Sequence, residues 1–164
     1  MEYPLLKRQL PPKIKNVWRS RQLIGLVVGI VVSGGTFWAV KIFEFLQPAY
    51  FFWIWLGLTL LFLLSKLIDF ALIPYRYQFH RFEIDDADIA LQTGYFFRNM
   101  TFVPISRIQH VETEQGPLLR KAGLMSVVLH TAATTHRLAG LTVADAQQLR
   151  EQIIALVKVA KEDV

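Results

Sequence analysis

Two long apolar runs dominate the first half of the chain, and the pattern after them is of another kind. From Leu23 to Val40 the sequence reads LIGLVVGIVVSGGTFWAV, without a charge. AYFFWIWLGLTLLFLL follows from Ala49 to Leu64 and continues past Ser65-Lys66 into LIDFALIP. A helix needs roughly 20 apolar residues to cross a bilayer core. The first run reaches that length with Gln22 and Lys41 to Phe43 at the interface. The second reaches it if the Lys66 stem carries its amine outward. Both are apolar all round, and a chain of this size could hardly bury two such helices in a soluble core. Trp18, Trp38, Trp53, Trp55 and Tyr50 fall near the ends, where amphipathic rings favour a membrane interface. The pattern predicts spans over about 22–43 and 49–70, joined by the short connection KIFEFLQP into an antiparallel hairpin. A signal peptide fits poorly, because the first run starts late, lacks a small-residue cleavage pattern and leads at once into a second span.

After Pro74 the periodicity shortens. YRYQF alternates aromatic and polar positions, as a half-buried strand does, with a change of parity near His80-Arg81 that suggests a bulge. Asp85-Asp86 marks a turn. ADIALQTG, YFFRNMTFVP, Ile108 to Glu114, MSVVLHT and THRLAGL then read as further strands separated by turn signals. The last segment changes period again. Thr142 is placed to cap a helix with Asp145 three residues on. Val143, Ala146, Leu149, Ile153, Leu156, Val157 and Ala160 form one apolar stripe at helical spacing. A single amphipathic helix after an antiparallel sheet buries its stripe most simply across an open end of that sheet.

The predicted fold class is therefore an α+β membrane protein. An N-terminal transmembrane α-helical hairpin precedes an antiparallel β-sandwich or barrel closed by a C-terminal α-helix. The organisation follows as a basic N-terminal arm (1–21), a two-helix hairpin (22–73) and a terminal domain (74–164). Charge orients it. Lys7, Arg8, Lys13, Lys15, Arg19 and Arg21 precede the first span, whereas the connection carries Lys41 balanced by Glu44. The positive-inside rule places both termini, and the terminal domain, in the cytoplasm. The net charge of +5 is thus accounted for by membrane orientation, and no nucleic-acid partner is expected.

Chemistry is sparse. The chain has no cysteine, which excludes disulfides, thiolate metal sites and a cysteine nucleophile. It lacks a Gly-x-Ser-x-Gly, a phosphate-cradling glycine loop and a His-Glu-x-x-His motif. Asp85, Asp86 and Asp88 fit a solvated turn better than an acid–base pair. If the last inter-strand turn centres on Ala133, His130 and His136 face each other, and His110 could join them from an adjacent strand. Without a defined third and fourth ligand, no metal site, cofactor or catalytic residue is assigned.

Two other features suggest contacts. Gly25, Gly29 and Ser33 form a small-residue stripe on which another helix could pack, either the chain's own second span or a separate membrane protein. The segment EQGPLLRKAGL places Gly116, Pro117, Leu118, Leu119, Arg120, Lys121 and Gly123 between two predicted strands. It can be a structured joint, a protein contact with a charged rim, or a membrane contact. The last would add to the non-specific attraction of Arg98, Arg107, Arg120, Lys121 and Arg137 for anionic headgroups.

Several strands closed by a helix resemble the pleckstrin-homology superfold. TGYFFRNMTFVPISRIQHVETEQGPLLRKAGLMSVVLHTA and the later LAGL carry a closer likeness. With the preceding hairpin, the chain resembles the bacterial PH-like, membrane-flanked domain family in its short, two-span YdbS-like form, over about residues 15 to 155. The most specific parts are PISRIQHV and QGPLLRKAGL. The resemblance implies a membrane-anchored cytoplasmic module of a bacterial plasma membrane, and the lack of a catalytic constellation in the sequence points to a role without enzymatic activity. The small-residue stripe and the glycine-framed loop suggest that it assembles with itself or with a homologous multi-domain PH-like membrane protein, and the resemblance implies a part in envelope stress or resistance to membrane-active peptides. A lipid-sensing or lipid-binding module is the alternative, and a metal-dependent enzyme a remote one. Phosphoinositide-binding relatives carry basic residues in the first inter-strand loop. Here it reads IDDAD, which repels an anionic headgroup.

Overall fold

The computed structural model describes residues 5–42, 50–94 and 97–162. Phe43 to Ala49, including most of the predicted connection, and Tyr95-Phe96 of the predicted third strand lie outside the described residues. The chain divides into two compact units, one of residues 1–17 with 74–164 and one of residues 18–73.

Two helices make up most of the second unit, α1 (Ile14–Ile42) and α2 (Phe51–Ala71). Both are long and apolar enough to cross a membrane. They run antiparallel. Lys66 Nζ reaches Gln22 Oε1 at 3.5 Å, Ser33 Oγ lies 2.8 Å from Thr59 Oγ1, and Trp55 Nε1 donates to Ser33 O at 3.1 Å. Phe37 packs between Phe52 and Trp55, with ring centroids 6.4 and 4.6 Å away.

The other unit is a pair of open antiparallel sheets. The first orders its strands β1 (Arg8–Gln9), β2 (Arg81–Ile84), β3 (Asp88–Thr93) and β4 (Asn99–Pro104). The second is β5 (Ile108–Glu114), β6 (Leu124–Thr131) and β7 (Thr135–Thr142). A 3-10 turn, Ile105–Arg107, carries the chain from one sheet to the other. The barrel expected as one option does not close. The C-terminal helix, α5 (Val143–Glu162), packs on β5, β6 and β7. Its cap is the expected one, since Asp145 N donates to Thr142 Oγ1 at 3.1 Å while that hydroxyl donates to Asp145 Oδ2 at 2.6 Å. Ala146, Leu149 and Ile153 of the stripe are buried, and Leu156, Val157 and Ala160 half-buried.

Two segments depart from expectation. YRYQF is no strand. It belongs to a short helix, α3 (Ile73–Gln78). Five residues with aromatics at Tyr75, Tyr77 and Phe79 fit either period, and Pro74, which has no amide hydrogen to lose in a first turn, favours the helix. Tyr75 and Phe79 then meet one turn apart, centroids 4.8 Å. β2 begins at Arg81 as a regular strand, and the suggested bulge at His80-Arg81 is the junction between α3 and β2.

The N-terminal residues, expected as a basic arm of their own, are woven into the sheet unit. β1 pairs with β2 through Arg8↔Phe82 and Gln9↔Arg81. Leu6, Leu10, Ile14 and Val17 are buried. Leu6 N donates to the buried Gln92 Oε1 at 3.3 Å, Arg81 donates to Leu6 O at 3.1 Å, and Tyr77 Oη donates to Leu10 O at 2.7 Å. Burying four aliphatic side chains outweighs leaving them in water beside the cations, at roughly 1.5–3 kcal/mol for each large one. Lys7 and Lys15 stay outside, the first 2.7 Å from Glu83 and the second over the Tyr77 ring at 4.1 Å. The carboxylate raises the Lys7 pKa, and hydrogen bonding from Lys7 lowers that of Glu83.

Candidate functional site

The glycine-framed segment folds into a helix, α4 (Pro117–Ala122). Gly116 is its extended N-cap residue, and Pro117 starts it where an amide hydrogen is not needed. Gly123 ends it in the left-handed region at φ 66°, donating its amide to Arg120 O at 3.1 Å. Gln115 Nε2 ties the segment to β6 by donating to Leu124 O at 2.9 Å. Leu118 and Leu119 are half-buried, while Arg120 and Lys121 are exposed. The helix is therefore a fixed joint that still shows apolar surface, rimmed by two cations.

The small-residue stripe separates into two behaviours. A Cβ added at Gly29 would lie 2.2 Å from Phe62 Cζ, and Ser33 bonds with Thr59 and Trp55. Both residues face the chain's own second helix. Among the described residues, nothing lies within 4 Å of a Cβ added at Gly25.

The histidines are arranged differently from the expectation. The turn after β6 has Ala132 and Ala133 at its tip, closed by Thr131 N donating to Thr134 O at 3.0 Å. His130 therefore opposes Thr135, and His136 opposes Leu129. A one-residue slip reverses every side chain of a strand, so His130 and His136 do not share a face. His136 bonds with Thr134 at 2.9 Å. The partner of His130 is His110, directly across β5. Their rings stack with centroids 4.2 Å apart and planes 12° from parallel. Glu112, two residues along the same strand, reaches both: Oε1 lies 3.2 Å from His110 Nε2, and Oε2 lies 3.4 Å from His130 Nε2. His110, Glu112 and His130 can each offer one ligand atom within 4.8 Å of the others. His80 stands apart near α3, and burial lowers its pKa.

Other surfaces are less equipped. Asp85 and Asp86 lie exposed in the β2–β3 turn, with Asp85 N donating to Asp88 O at 3.0 Å. An open groove of about 550 Å³ is lined by Arg8, Tyr77, Leu149 and Asp145 among others. Among the described residues its lining carboxylate is Asp145, which is taken up by the helix cap. Phe97, 87% exposed beside Arg98, carries no distinguishing signal in the sequence. As one aromatic within YFFRNMTF it looked like any alternating strand position, but the strand begins only at Asn99.

The family model for the bacterial PH domain matches residues 21–157. The chain is 35% identical over 159 residues to the transmembrane protein YdbS of Bacillus subtilis (strain 168), covering 96% of this chain and 97% of that one. No solved structure matches the chain. Two apolar helices, paired antiparallel sheets closed by a helix, and these matches lead to one conclusion: the chain is a membrane protein belonging to the bacterial PH domain family.

Proposed function

We propose that this protein is a non-enzymatic assembly module held by two spans, with both termini and its PH-like domain at the cytoplasmic face of a bacterial plasma membrane. The observation that carries the reading is α4. Folding leaves Leu118 and Leu119 half-exposed on a helix held at both ends, beside Arg120 and Lys121. An apolar centre with a charged rim is the make-up of a protein interface. Its partner is a second copy or a homologous multi-domain PH-like membrane protein, and anionic headgroups attract the cations only non-specifically. The orientation rests on the cations that precede the first span. The mode of action is recognition, since the carboxylates of the groove and of the β2–β3 turn are a cap and a solvated turn.

The test replaces Leu118 and Leu119 together by serine. The variant should keep the parent's circular dichroism and stay in the membrane, yet lose the protein that co-purifies with the parent in mild detergent. Unchanged recovery of that protein would refute the role of α4.

A further inference from the structure

We propose that His110, Glu112 and His130 form a binding site for a borderline-soft divalent cation of the zinc and nickel class. The backbone builds it. β5 carries an irregularity between Ile108 and His110, so that Ile108 pairs with Thr131 and His110, not Gln109, pairs with His130. Gln109 is the extra residue of a bulge, a device that re-aims side chains. It sets the two imidazoles face to face and puts Glu112 on the same side of the sheet.

The donor chemistry fits. Two imidazoles and one carboxylate suit zinc, nickel or copper better than the hard cations that prefer oxygen alone. Metal bonds of about 2.0–2.2 Å place neighbouring ligand atoms about 3–3.5 Å apart. The two carboxylate-to-imidazole approaches, 3.2 and 3.4 Å, are already of that size.

A second observation points the same way. His130 Nε2 is shielded from solvent and has no hydrogen-bond partner among the described residues. Glu112 Oε2 lies near it, outside hydrogen-bond geometry. The other ring nitrogen, Nδ1, bonds with Thr135 Oγ1 at 3.3 Å. Such a partner orients a ligating imidazole and leaves Nε2 for the metal. In the stacked pair the two rings are 12° from parallel, so their lone pairs run side by side. A turn of the His110 ring about χ2 makes them converge, and its side chain, 56% exposed, has room for it. Three protein ligands leave a position open on the metal. The bound ion would clamp β5 to β6.

The experiment titrates untagged full-length protein in detergent with zinc chloride by calorimetry. One zinc per chain is expected in the micromolar range. His110→Ala and His130→Ala should each weaken binding on the order of 100-fold, at the upper end of what even an outer-shell change costs. Glu112→Gln keeps the side chain's shape and should also weaken binding, so it reports even if a histidine variant fails to fold. His136→Ala, off the cluster, should bind as the parent does. Absence of binding at micromolar zinc would overturn the proposal. So would zinc binding that survives Glu112→Gln and both histidine variants, or that falls equally with His136→Ala.

Discussion

Replacing Gly140 by alanine tests the packing of the N-terminal segment most sharply. Gly140 is the extra residue of a bulge in β7, between Ala139 opposite Ser126 and Leu141 opposite Met125. Its φ is 94°, where an L side chain is strained. A Cβ there would also meet Ile14, at 2.5 Å from Cδ1, 2.7 Å from Cγ1 and 3.2 Å from Cβ. Carbon atoms pack best at about 3.5–4.0 Å. Ile14 is 1% exposed and has little room to retreat. Backbone strain of about 1–3 kcal/mol and overpacking of about 1–3 kcal/mol add to roughly 2–6 kcal/mol. Ile14→Ala alone should cost about 2–5 kcal/mol by leaving a cavity. It also removes Cδ1 and Cγ1, the two atoms that an added Cβ would strike hardest, and leaves Cβ 3.2 Å away. The double variant should therefore be less destabilised than the sum, by about the overpacking part. Hydrogen exchange of peptides from β6 and β7, on full-length protein in detergent, reads all three variants. Additivity within about 0.5 kcal/mol, the behaviour of distant sites, would refute the docking of Ile14 on Gly140.

Gly29→Leu should weaken the pairing of α1 with α2 by about 1–3 kcal/mol, as overpacking does, because the new Cβ falls on the Phe62 ring. Gly25→Leu should not; cross-linking through cysteines placed at Ser33 and Thr59, in a chain with no cysteine of its own, separates the two, and equal yields would contradict the assignment. For His80, burial is the main cause of a pKa below its ordinary 6.5, and Arg76 acts both ways, its carbonyl raising the value and its charge lowering it. The unfolded chain then binds more protons than the folded one between the depressed value and the ordinary one, so stability is full above the ordinary value and declines as pH falls towards the depressed one. The His80 ring resonance should titrate below 6.5, and a midpoint at or above it would refute the effect of burial.

The legible parts of the fold were those with long or repeated signals. All-round apolarity over α1 and α2 has no other economical explanation, and the stripe and cap of α5 repeat over several turns. Short segments were harder. In YRYQF five residues cannot separate a period of two from one of 3.6. Leu6, Leu10, Ile14 and Val17 are a regular apolar series, but they sit among Lys7, Arg8, Lys13 and Lys15, whose charges mark the segment as a membrane flank. What buries the series is the pairing of β1 with β2, between residues more than 70 positions apart. The histidine cluster was hidden by register. Thr131 and Thr134 close a turn around Ala132-Ala133, and the bulge at Gln109 shifts β5 by one residue. Neither step leaves a periodic trace, yet together they decide which imidazoles meet. α4 was legible as a joint framed by glycines, but how far Leu118 and Leu119 would be buried depended on β6 beside them.

Assembly through α4 can be read from the mass of the intact complex. The tagged protein is purified from native membranes in mild detergent and the intact complex is weighed by native mass spectrometry. The account predicts a stoichiometric complex with a second copy or a homologous PH-like membrane protein, lost on Leu118→Ser with Leu119→Ser. A monomer recovered alone, or with an enriched lipid as its sole companion, would contradict it.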